Sequence, residues 1–299
     1  SFNLMLSVGK SDLTGSQLAW LSVLLVQNRD YKQGVIVGEL ALRLLKFYPH
    51  TQELAGSYNV LAGLVFPIKQ AYVECSKLHQ KAYETGLENG EIARGYISLN
   101  NTLFLNYSSG VALASIHSQA MNIMEVSHTK KVFSSNSVNI SSIAKALLSP
   151  SSTASKVFEN LYSSEQLQNF KGSLHEYGLL HFRSELAFWY GDTKQSLHLA
   201  QAAHAGLNNS ARFCFYNDHV FQLGLLLCVS HRTASSKNSE TNRIEQCDDL
   251  NFCLEELKSL SEFYPENFEH KYLLLLSEIE QLQQVPMSRI ASHYKEAIQ

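Results

Sequence analysis

At 299 residues, 45% of them apolar and only 17% charged, the chain has material for a large core and a surface poorer in charge than the roughly 25% of a typical soluble domain. A net charge of −3, with no block of like charges, excludes the basic stripe that a nucleic-acid-binding face requires. No apolar run approaches the roughly 18 residues of a membrane span; one of the longest, 60–68, is broken by Gly63 and Pro67.

Helix signals dominate in chain order. Leu4-Met5-Leu6 is too short for the apolar region of a secretory leader and has no basic flank before it. Asn28-Arg29-Asp30-Tyr31-Lys32 separates a first helix from a second, whose Val37, Leu40, Ala41, Leu44, Leu45 and Tyr48 form one stripe. Breaks follow at Pro49-His50, Glu88-Asn89-Gly90, Ser108-Ser109-Gly110 and His128-Thr129. The Ser- and Asn-rich segment 133–155 departs from the pattern and is expected to hold one short helix, 140–148, between loops. After Lys171-Gly172, a stripe of Leu179, Phe182, Leu186, Trp189 and Tyr190 ends at Gly191-Asp192. There Gly191 suits a left-handed helix terminus, and Asp192 suits the cap of the next helix with Gln195 three residues on.

Beyond the break at Leu207-Asn208, the polar segment 231–246 is expected to be a mobile loop inside one hairpin. Tyr264-Pro265 opens a helix with Tyr272, Leu275, Leu276, Ile279 and Leu282 in phase, closed by Gln284-Val285-Pro286. The final stretch is apolar along Ile290, Tyr294 and Ile298 and lacks a stop signal, which reads as a piece cut from a longer polypeptide.

The outer turns recur roughly every 40 residues, which lays out seven helical hairpins or parts of them. The expected fold is therefore all-α, a single α-solenoid of tetratricopeptide-like hairpins over residues 1–299. Small residues suited to close helix crossing recur in Ser196, Ala200, Ala202 and Ala203, and again in Ala291 and Ala297.

Three sets of residues carry a family resemblance. Tyr31-Lys32-Gln33-Gly34 with Gly38-Glu39-Leu40-Ala41 is one. The stretch 82–93, with Tyr83, Glu88, Gly90 and Ala93, followed by Gly110, is a second. The stretches 186–192, 215–218 and 264–272 make the third. In this order and spacing they resemble the helical-repeat region of large multidomain signalling ATPases and kinases. In that family a Ser/Thr-kinase-like module and a STAND-type P-loop ATPase often precede the repeats, and GAF and histidine-kinase domains often follow. Segments 133–155 and 231–246 depart from the family pattern. The resemblance implies a regulatory or sensor segment and carries over no catalytic residue.

The chain has no P-loop; Gly9-Lys10-Ser11 matches its last three positions, but Leu4 stands where the first Gly is needed. Of twelve histidines, the pairs His175/His181 and His198/His204 stand six apart, a poor spacing for two ligands on one helix face, so no metal site is expected. Cys75, Cys214 and Cys228 lie on apolar helical stretches and are expected as small core residues in a reducing, cytoplasmic setting. Trp20 and Trp189 are likewise expected in the core.

Tyr83, Tyr96, Tyr107, Tyr177, Tyr216 and Tyr294 are the candidate partner-binding residues, because Tyr is enriched at interfaces. The expected function is non-catalytic and cofactor-free. The chain would bind a protein or peptide partner, or flanking domains of the same chain, without nucleic acid or a membrane span. The alternatives are a free-standing peptide-binding adaptor and an all-α enzyme with an unrecognised site.

Overall fold

The computed structural model describes residues 11–48, 52–132, 135–149, 156–159, 161–207, 215–234 and 247–298. Among the described residues the structure is helical, with no strand. The described residues hold fourteen α-helices: α1 (Thr14–Gln27), α2 (Tyr31–Leu45), α3 (Leu54–Val60), α4 (Tyr72–Glu88), α5 (Ile92–Ser108), α6 (Leu113–Thr129), α7 (Ser135–Leu148), α8 (Ser164–Phe170), α9 (Leu174–Trp189), α10 (Thr193–Leu207), α11 (Tyr216–Ala234), α12 (Asp248–Phe263), α13 (Pro265–Leu282) and α14 (Met287–Ile298). Within each compact unit the helices pack largely in consecutive pairs, so the fold is all-α, of the helical-hairpin, α-solenoid class.

The described residues form two compact units, 11–149 and 156–298. In the first, alternate helices α1, α3, α5 and α7 touch in succession, while α2, α4 and α6 pack against them. In the second, α9 to α14 pack pairwise in order, α11 also meets α13, and α8 rests on α9.

The turns have local causes. Asp30 caps α2 by accepting from the Gln33 amide at 3.3 Å, and Asp192 accepts from Gln195 at 3.0 Å, the cap expected from sequence. Ser163 and Gln166 form a reciprocal capping box at the start of α8. Gly110 and Gly191, both at φ +79°, close α5 and α9, with the following amide reaching back to Asn106 and Ala187 respectively. Helix α3 starts on a borrowed carboxylate: Glu91 accepts from the Ala55 and Gly56 amides, and Arg94 pairs with both Glu53 and Glu91. It then runs into a π-helical turn, Leu61–Val65, and a 3₁₀ turn, Phe66–Ile68.

Three expectations are corrected. Helix α7 is longer than 140–148, because its Ser/Asn-rich first turns pack instead of looping out. The Ser137 hydroxyl donates to Asn100 Oδ1 at 2.5 Å, and Ser141 hydrogen-bonds His117 Nδ1 at 3.0 Å. The rest of that segment that was expected as loop, 133–134 and 150–155, lies outside the described residues. Helix α11 continues through His231 to Ala234, so the first four residues of the loop expected at 231–246 are helical; 235–246 lie outside the described residues, as do Pro49-His50, Asn208 and Cys214.

The third correction concerns the tryptophans: Trp20 is 48% exposed and Trp189 60% exposed. Helix α1 buries Gly15, Ser16, Ala19 and Ser22, and α2 buries Gly34, Gly38 and Ala41. These small faces let the backbones approach, and the bulky Trp20, Leu24, Ile36 and Leu40 are left outside. Trp189 ends α9 at a hairpin tip, where its ring meets the neighbouring Phe188 edge-on at 5.8 Å. Cys75, Cys228 and Cys253 are buried, and burial pushes the Cys75 and Cys228 thiols up to about 12.

Candidate functional site

An open concavity lies in the first unit, where α4 and α6 flank α5. Helix α5 supplies Leu99, Thr102 and Leu103; α6 supplies Gln119, Asn122, Ile123 and Val126 at helical spacing; α4 supplies Gln80. Together they line an open groove of about 290 Å³. Its floor is set by Leu103 and Ile123, both buried, while Val126 remains 39% exposed on the rim.

A hydrogen-bonded relay stiffens one wall. The Ser76 hydroxyl of α4 donates to Asn106 Oδ1 of α5 at 2.8 Å. Asn106 Nδ2 donates to Gln119 Oε1 at 3.0 Å, and Gln119 Nε2 donates to Ser115 at 3.1 Å. Gln119 is thus held between two partners and presents a fixed carboxamide to the groove. Thr102 turns its hydroxyl back to the Ser98 carbonyl, which leaves its methyl for apolar contact.

The lining residues are apolar, amide or hydroxyl-bearing; none is charged at neutral pH and none is a metal ligand or activated nucleophile. Such a surface accepts an uncharged segment that buries one or two apolar side chains and offers peptide groups to carboxamides. Among the described residues, no group of three or more His, Cys, Asp or Glu side chains is placed to hold a metal ion, and no helix is long and apolar enough to cross a membrane.

The candidate tyrosines are distributed over both units and do not line this groove. Tyr96 and Tyr216 are buried. Tyr83, half-buried, meets the Tyr96 ring edge-on at 5.5 Å, so the two close the α4–α5 crossing. Tyr107 is half-buried near the end of α5. Tyr177 covers Gly206 of α10 so closely that a Cβ there would fall 1.8 Å from its ring. The Tyr294 hydroxyl donates to Glu278 at 2.6 Å and tethers α14 to α13; burial and the carboxylate beside it push the phenol up to about 12.

Sequence reasoning missed Gln80, Thr102, Gln119 and Asn122 because amides and hydroxyls on a helix carry no motif. The available signal was the 119, 122, 123, 126 spacing, which sets two amides and two aliphatics on one face of α6. Comparison with protein-family models, with curated proteins and with solved structures finds no match for this chain.

Proposed function

We propose that this chain is a non-catalytic regulatory and protein-interaction module of a multidomain, cytoplasmic signal-transduction protein, and that it binds a protein or peptide partner or flanking domains of its own chain. The observation that carries the interaction reading is the groove over α5, with an apolar floor, a carboxamide rim and no charged group among its lining residues. The signalling parent rests on the sequence resemblance to the helical-repeat region of STAND-type ATPases and kinases.

The occupant that fits is a short uncharged peptide segment with one or two apolar anchors. Peptides selected from a random library against the folded chain are expected to bind Val126→Asp at least about tenfold more weakly than wild type, because a charge would enter an uncharged rim. Val126 is exposed enough for that variant to fold. Selected peptides indifferent to both Val126→Asp and Gln119→Ala would overturn the groove as the binding site. Reading the encoding frame on both sides of this chain tests the parent: a P-loop ATPase module upstream is the expected finding, and a metabolic enzyme domain in its place would overturn it.

A further inference from the structure

The second unit buries three histidines from three successive helices: His181 on α9, His204 on α10 and His219 on α11, exposed by 2%, 6% and 0%. The His204 and His219 rings stack at 5.6 Å between centroids, and His181 meets His219 edge-on at 5.7 Å. Aromatic rings close both ends of the column: Phe215 stacks on His181 at 5.4 Å, and Phe252 of α12 meets His204 at 5.6 Å. Neither ring nitrogen of His219 has a hydrogen-bond partner among the described residues, nor does Nδ1 of His181. A buried imidazole without partners packs as an aromatic ring only while it is neutral.

We propose that this histidine column is an acid-sensitive lock, in which proton uptake below neutral pH releases the packing of α9, α10 and α11. This inference does not depend on the groove of the first unit or on any partner. The carboxylates that act on the column are Asp218 on α11, on His181, and Asp249 on α12, on His204; Lys271 and His270 on α13 lie beside Asp218. Lys271 is itself ion-paired with Asp218 across α11 and α13, which spends much of the one carboxylate that favours charge on His181. Asp249 acts in the same sense on His204 but does not overcome burial.

Burial holds His181 down at about 4 and His204 below the ordinary range. His219 lies well below it, from burial first and from its two histidine neighbours next. Because the folded values lie below the unfolded value of about 6.5, the packed state is fully stable above that pH. Its stability is lost as pH falls from about 6.5 toward the folded values. A histidine held well below its unfolded value favours the open state by about tenfold per pH unit below that point, so His181 and His219 together reach on the order of a hundredfold at about pH 5.5, and His204 adds in the same sense.

The test is hydrogen exchange on the whole chain at pH 7.5 and pH 5.5, expressed as protection factors for α9, α10 and α11. Helix α4 is an internal control, because its buried His79 also lies low, at about 3, and titrates independently of the column. Wild-type protection in α9–α11 is expected to fall steeply between the two conditions. In His219→Phe, which keeps an aromatic ring and removes the proton site, the fall is expected to shrink by about tenfold or more, with α4 unchanged. Should His219→Phe not fold, His181→Phe carries the same expectation. An undiminished fall in whichever variant folds would overturn the proposal, and so would wild-type protection that is equal at the two pH values.

Discussion

At the scale of single residues, side-chain bulk proves a poor guide to burial in this chain. Trp189 falls in register with Leu179, Phe182 and Leu186, and that periodicity is all the sequence offers. The helix ends at Trp189 itself, before α10 starts at Thr193, so the in-phase position points past the packed interface. Trp189→Ala is therefore expected to cost less than about 1 kcal/mol, whereas Phe182→Ala, at a fully buried position on the same stripe, should cost about 3–5 kcal/mol. Urea denaturation of the two variants distinguishes them, and a large loss for Trp189→Ala would restore the ring to the core. The buried histidines were illegible for the opposite reason. Their positions in sequence, 181, 204 and 219, have no common spacing, and only the stacking of three helices brings them together. The same holds for Gln80 and Gln119, which meet at the groove because α4 and α6 lie on either side of α5.

At the scale of elements, the turn chemistry was readable and the packed faces were less so. Gly110, Gly191 and Asp192 act as their residue types require, because local backbone rules decide them. Helix α7 was legible only in part: Ser and Asn favour loops by propensity, yet here Ser137 and Ser141 form tertiary hydrogen bonds that compensate. Three helix ends use ordinary residues where glycine would be relaxed: Arg29, Lys131 and Gln284, at φ 63°, 55° and 58°. Each closes its helix with the same pair of returning amides as the glycine turns. Gln284→Gly is expected to stabilise the chain by about 1 kcal/mol, since the left-handed conformation costs an L side chain that much or more. A lowered denaturation midpoint would contradict this. Where α4 crosses α5 the constraint is reversed. A Cβ on Gly86 would lie 2.8 Å from Gly95 Cα and 2.9 Å from its nitrogen, backbone atoms that cannot rotate away. Gly86→Ala should cost about 1–3 kcal/mol by forcing the helices apart, and an unchanged melting temperature would show that the crossing is slack.

At the scale of the whole molecule, the roughly 40-residue period made the fold class legible before any side chain was placed, because stacked hairpins repeat their turns at a fixed interval. The function was not legible in the same way: packing residues recur with the period, while recognition residues need not. The packing also sets how the chain should unfold. The described residues gather into two compact units, and within each unit the contacts run mostly between helices one or two apart in sequence. Stability in such an array is a sum of local and nearest-neighbour parts and does not have to be lost at once. Scanning calorimetry is therefore expected to give a measured enthalpy above the van't Hoff value. Phe182→Ala, in the second unit, should move only part of the heat-capacity profile, and Phe104→Ala, on α5 of the first unit, should move a different part. Both rings are almost fully buried, so each substitution leaves a comparable void and the two profiles can be compared directly. A single sharp transition that both variants shift as a whole would mean that the hairpins melt as one cooperative body, and that the nearest-neighbour description fails for this chain.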